Sequence, residues 1–480
     1  MLFNSKEFLL FFPLVVLLYY ALPPRRRWWL LLPASYAFYL SWRPIYLALI
    51  LLSTTIVYYI GRAMAATDDR ATRKTLLILS LIGNLGLLFV FKYFNFFNDN
   101  LGALLDGLGL GYAYAGLSIA LPVGISFYTF QALGYNIDVY RGEVPAEKRF
   151  GKLALFIAFF PQLVAGPIER TKRLLPQFDR LVRFDQAQVF DGLKLMAWGL
   201  FKKVVVADRL AMFVNAVFAD PAACDSLQLL AAAYFFSFQI YCDFSGYTDI
   251  ARGAARVLGF ELTRNFHRPF HADSIRDFWR RWHITLSTWF RDYLYIPLGG
   301  GRVRVRRLYF NLAVVFLLSG LWHGAAWTFV VWGALHGLFL MVAHLSAAWR
   351  QRFVALIGLV RRPLWHRWWR IVVTFHLVVG AFVVFRAASL ADAWSVFAGI
   401  GRLTFLPGSL PAVVGAWNFF LAIVGVILLE IVETLHDRFD LRRVLARRNV
   451  AVRYLLYLTL VLVILLFGVF EEVEFIYFQF

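Results

Sequence analysis

Charge is scarce in this chain. Only 16% of its 480 residues are Asp, Glu, Lys or Arg, against about 25% in an ordinary soluble domain. Cysteine is nearly absent. Cys224 and Cys242 have neither metal-type spacing nor a partner pattern, which excludes a disulfide scaffold and says nothing of redox compartment. Acidic residues are the rarer sign, 29 against 49 basic, for a formal charge of +20. No internal repeat and no Ser/Gly-rich linker divides the sequence, so it reads as one domain, 1–480. H-E-x-x-H, G-x-x-x-x-G-K-[ST] and G-x-S-x-G are all missing, which removes the zinc-protease, P-loop and hydrolase-elbow readings. His267 and His271 are four apart, but Pro269 between them argues against a helical metal pair, and no metal site is expected.

Apolar residues are abundant instead. They make up 61% of the chain, aromatics alone 18%, and mean hydropathy is +0.65. They arrive in long runs that no solvated surface could hide. The chain is therefore expected to be an all-α, polytopic transmembrane bundle. A spanning helix needs about 20 mainly apolar residues. Thirteen runs are candidates: 7–22, 28–41, 45–61, 75–95, 117–137, 152–167, 190–208, 228–246, 308–322, 325–346, 370–388, 414–434 and 454–470. Those at 28–41, 152–167 and 308–322 are short enough to be tilted, re-entrant or shared with a neighbour. After 7–22 comes Pro23-Pro24-Arg25-Arg26-Arg27 with no A-x-A site, so the first run reads as a retained span.

Basic residues in short loops set orientation. Segments 62–74 and 141–152 carry four each, 437–453 carries six, while 97–117 carries none and 471–480 has three glutamates. The basic loops are expected on the cytoplasmic side and both termini outside. That requires an odd number of spans, and about eleven is expected. The positive charge thus serves topology and anionic lipid or substrate, and no nucleic-acid partner is expected.

The segment 261–307 stands apart as aromatic and basic, with ten arginines, and is read as an amphipathic cytoplasmic-side element. Within 274–293, Ile275, Phe278, Trp279, Trp282, Leu286, Trp289 and Tyr293 form an apolar stripe at helical spacing. Arg276, Arg280, His283, Ser287 and Arg291 share the other face. Such a helix could lie on the lipid surface, or its arginines could bind a phosphorylated cytosolic donor with His283 near the reactive group. Gly299-Gly300-Gly301-Arg302 reads as a turn or as a phosphate cradle. A second focus is Ser319-Gly320-Leu321-Trp322-His323-Gly324, where a histidine sits between small residues in an apolar stretch. An imidazole at membrane depth can be a general base, or a structural side chain bonded to a carbonyl. His336, His344 and His376 are read as structural. Gln131, Gln239, Asp243 and Ser245 could line a polar tunnel or make interhelical hydrogen bonds.

Several tracts together resemble the membrane-bound O-acyltransferase family in its bacterial polysaccharide branch. They are Phe160–Ile168, Tyr241–Tyr247, Asp277–His283 continuing through Arg291–Gly300, and Leu321–Gly324, with the likeness reaching Phe475–Phe480. The resemblance implies that family's fold, with His323 at the bottom of a tunnel and His283 towards the cytoplasm as catalytic residues. It implies an acyl thioester such as acetyl-CoA as donor substrate, with no bound cofactor, and a bacterial inner-membrane location. It also implies extracytoplasmic acetyltransferase or SGNH-hydrolase-like partner proteins. The acceptor would be an extracytoplasmic polysaccharide such as alginate, with cellulose, peptidoglycan or teichoic acid D-alanylation as alternatives. From the residues alone, a transporter or flippase with a histidine proton relay is the reading from a different class.

Overall fold

Each of the thirteen apolar runs lies wholly or partly on a helix in the computed structural model, which describes residues 1–112, 115–439, 441–470 and 475–476. No strand occurs among the described residues. The acidic stretch 471–474 and the last four residues of the family likeness, 477–480, lie outside them. Among the described residues, seven helices are long and apolar enough to cross a membrane: Pro44–Ala65, Arg70–Gly107, Val305–His323, Trp327–Leu345, Pro363–Arg386, Ala416–Phe439 and Val450–Phe467. The protein is a multi-pass membrane protein. The expected count of about eleven is not reached by that criterion, because several runs form shorter helices. Arg27–Leu40 has 14 residues and Phe150–Ala158 has nine. At 1.5 Å per residue these reach about 21 and 14 Å, short of a hydrocarbon core of about 30 Å. The run 308–322, by contrast, belongs to a full-length helix of 19 residues.

Contacts gather the chain into two units, Met1–Met196 with Ile250–Thr263, and Ala197–Asp249 with Arg264–Phe480. The 32-residue helix Ser226–Val257 supplies residues to both. In the first unit, Pro44–Ala65, Arg70–Leu88 and Ile125–Tyr140 are joined by a buried polar set. Ser53 Oγ donates to Asn84 Oδ1 (2.5 Å), and Asn136 Nδ2 donates to Ser80 Oγ (2.7 Å). Such bonds hold helices together where lipid removes the hydrophobic drive.

In the second unit, small residues set the spacing of two helices. Val305–His323 and Trp327–Leu345 cross at Gly320 and Gly333. A Cβ on Gly320 would lie 2.2 Å from the Phe329 carbonyl oxygen, and one on Gly333 would lie 2.2 Å from that of Phe316. Only hydrogen fits at either position. Pro363–Arg386 packs on Trp327–Leu345 and is buried along Val378–Phe385 except at Gly380.

Candidate active site

His323 is the last residue of its helix and is 3% exposed. The following Gly324 is extended, and a side chain there would run into the Phe329 ring. The glycine crossing thus brings the next helix close. The His323 ring meets Trp332 at 4.9 Å, Trp322 at 5.0 Å and Phe385 at 5.5 Å, all edge to face. Rings that interlock in this way fix the imidazole plane.

His283 arrives by a different route. The segment 274–293 is not one helix. Ser274 caps Ile275–Arg281 through its Oγ, which accepts the Asp277 N–H, and a second helix, Ile284–Phe290, follows. Between them Trp282 is extended and His283 is left-handed, at φ 41°. A non-glycine residue there costs about 1–2 kcal/mol. The segment 265–267 compensates the break: the His267 N–H donates to the Arg281 carbonyl and the Ile284 N–H to the Asn265 carbonyl, both at 2.9 Å. The expected arginine face is thereby corrected. Arg276, Arg280 and Arg291 are exposed, whereas His283 is fully buried, because the break turns it inward. The apolar stripe is nevertheless buried at Ile275, Phe278, Trp282, Leu286 and Trp289.

Asn265 fixes the His283 tautomer. Its Oδ1 accepts the Thr285 backbone N–H (3.1 Å) and the Thr285 hydroxyl (2.9 Å), so that atom is the amide oxygen. His283 Nδ1, 3.2 Å away, must then carry the proton, and Nε2 is the basic nitrogen. Burial pushes this imidazole down to about 3, against a backbone hydrogen bond that raises it, so it stays neutral at physiological pH. Its ring packs on Phe244 (4.7 Å), Trp322 (5.8 Å) and Phe266 (6.4 Å). Trp322 therefore touches both His283 and His323. The structure brings the two histidines into one buried aromatic cluster within the second unit. Asn265 was not among the residues singled out from sequence, since its partner lies 18 positions away and no spacing rule links them.

A model of the membrane-bound O-acyltransferase family matches residues 149–383, which contain both histidines. The probable alginate O-acetylase AlgI of Azotobacter vinelandii is 43% identical over 405 residues, 83% of this chain and 78% of that protein. The chain belongs to the membrane-bound O-acyltransferase family. The likeness extends to the peptidoglycan O-acetyltransferase of Helicobacter pylori, 36% identical over 76% of this chain and 72% of that protein. It reaches the teichoic acid D-alanyltransferase of Bacillus subtilis, 27% identical over 55% of this chain and 68% of that protein. The protein is accordingly an O-acyltransferase.

Around the histidines of this acyltransferase the other candidates divide. Arg276 and Arg280 stand one turn apart with no ion-pair partner among the described residues, while Arg291 is held by Asp292 (2.7 Å). The glycine run forms a turn, with Gly299 and Gly300 at positive φ and the Gly300 carbonyl accepting from Asn311 Nδ2. Gln239 and Ser245 are buried, and Gln239 Oε1 and Ser245 Oγ have no hydrogen-bond partner among the described residues. Asp243 is committed elsewhere. Its Oδ1 pairs with Lys203 Nζ (2.9 Å), which also pairs with Asp208 (2.8 Å), and its Oδ2 accepts the Ile476 N–H. Gln131 lies in the first unit, where Oε1 accepts the Glu169 N–H (3.1 Å) and Nε2 donates to the Phe156 carbonyl. His267 and His271 face Asp437 and Glu430 rather than each other.

Proposed function

We propose that this acyltransferase moves an acetyl group from a cytosolic thioester, acetyl-CoA, to hydroxyls of an extracytoplasmic polysaccharide, with His323 as general base. Support comes from the buried cluster in which Trp322 touches both imidazoles, and from relatives named for O-acetylation of alginate and peptidoglycan. The enzyme sits in the bacterial inner membrane with its arginine-rich loops in the cytoplasm. Exposed Arg276 and Arg280 meet the donor's phosphates.

The chemistry follows from the side chains. His323 accepts the proton of the acceptor hydroxyl as its oxygen attacks the thioester carbonyl carbon. A C–O bond forms and the C–S bond breaks. The thiolate takes up a proton and leaves to the cytosol as free thiol. A positioned base contributes typically about 10²–10⁴-fold. His283 is neutral with Nε2 basic, and Asn265 holds its ring orientation. It serves as the second polar group of the cluster, on the donor side. Partner proteins outside the membrane receive or direct the acetyl group.

The test is ester-linked acetate on each envelope and secreted polymer, in cells making wild type or His323→Ala at equal membrane abundance. Loss from one polymer identifies the acceptor and supports the base. Unchanged acetate on every polymer that wild type modifies rejects His323 as base.

A further inference from the structure

Of the three histidines read from the sequence as structural, His336, His344 and His376, two have ordinary partners. His344 Nδ1 shares a hydrogen bond with the Tyr309 hydroxyl at 2.9 Å. His376 bonds the Tyr234 hydroxyl at 2.8 Å and the Val372 carbonyl at 2.7 Å. His336 differs. It is fully buried, and neither ring nitrogen has a hydrogen-bond partner among the described residues.

Its surroundings are rings. Trp332 lies at 4.9 Å and Trp279 at 5.0 Å, both edge to face, and Phe278 stacks on it at 6.0 Å. Trp279 and Trp332 are themselves 5.8 Å apart, so the two indoles and the imidazole form a closed triangle. Both indole nitrogens are also buried and without hydrogen-bond partners among the described residues. Trp332 also meets His323, at 4.9 Å.

A phenylalanine at 336 would fill this box without burying two polar atoms, whose unmet hydrogen bonds cost stability. A residue kept against a local packing rule is expected where function requires it. The physical advantage of imidazole is its polar edge. In edge-to-face contact, a ring N–H is a better donor to an indole π face than a phenyl C–H.

We propose that His336 is a positioning residue: with Trp279 it holds the Trp332 indole in the orientation that sets the His323 imidazole. The inference rests on His323 being the base. It assigns His336 no contact with donor or acceptor.

The experiment compares wild type, His336→Phe, His336→Gln, Trp332→Phe and His323→Ala in native membranes, measuring kcat, donor KM, the pH profile of kcat/KM and thermal stability. His336→Phe is expected to melt no lower than wild type, because it removes the unmet polar atoms. Its kcat should fall by on the order of tenfold or more, with donor KM within about twofold. The acidic limb of the profile, which reports the base, should move. His336→Gln, which restores a polar edge, should recover part of kcat. Wild-type kcat and pH profile in His336→Phe would overturn the proposal. If that variant does not accumulate, Trp332→Phe decides, with lost kcat at unchanged KM expected and wild-type kcat contradicting. An active His323→Ala removes the premise, whereas an inactive one beside a normal His336→Phe removes the positioning role alone.

Discussion

Substituting alanine for Gly333 adds one methyl group at the crossing that carries the site. Its carbon would lie 2.2 Å from the Phe316 carbonyl oxygen and 3.2 Å from the Gly320 Cα. A carbon and a carbonyl oxygen approach to about 3.3 Å, so the two helices must part by about 1 Å. Backbone on both sides leaves no flexible side chain to yield. Overpacking of this kind costs typically about 1–3 kcal/mol. With His323 as the proposed base, the catalytic cost exceeds the stability cost, because Trp332 immediately precedes Gly333 on one helix and His323 is one turn past Gly320 on the other. A 1 Å misplacement can reduce turnover by about 10²-fold. Gly337→Ala is the control, since its methyl would meet Phe316 Cβ at an ordinary 3.4 Å. In detergent or nanodiscs, Gly333→Ala should melt lower and turn over roughly a hundredfold more slowly, while Gly337→Ala stays near wild type. Wild-type turnover by Gly333→Ala would refute the claim that the glycine crossing positions His323.

Other consequences follow from named contacts. Asn265→Ala removes the acceptor for His283 Nδ1 and for both Thr285 donors, so it should destabilise by about 1–3 kcal/mol and lower turnover, read by thermal melts and acetyl transfer. Lys203→Met leaves Asp208 and Asp243 buried without their shared cation; breaking such a pair costs about 3–5 kcal/mol, visible as reduced membrane abundance. Acid should weaken the His283 region in a defined window. Between the ordinary value of 6.5 and about 3, the unfolded chain binds a proton that the folded site refuses, so stability falls as pH drops. The slope is at most about 1.4 kcal/mol per pH unit from this group, and melts of His283→Asn against wild type at pH 7 and pH 4 should show the variant losing that part of the slope.

Most of the helices were legible because hydrophobic runs report burial in lipid or core directly. The apolar stripe from Ile275 to Trp289 likewise predicted which side chains are buried. The break within it was not legible. Periodicity carries no sign of a left-handed His283 after an extended Trp282, since the freed backbone groups are satisfied by residues 265–267. That break moves His283 from the arginine side to the interior. The ion pair of Asp243 was not legible for a similar reason: its cation, Lys203, lies forty positions earlier in a π-helical turn, Phe201–Ala207, that no pattern marks. The burial of His323 was legible because an ionisable residue in an apolar stretch is expected to face the bundle interior. The difference between His336 and its neighbours His344 and His376 was not, because it depends on which phenols happen to face them.

The central claim is that His323 is the base of an acyl transfer fed from the cytosolic face. Its most direct test is release of free thiol from acetyl-CoA by inverted membrane vesicles supplied with acceptor polymer. Wild type should release thiol in step with acetate ester formed on the polymer, and His323→Ala should release none above the uncatalysed rate. Equal release by the two, at equal protein, would contradict the account.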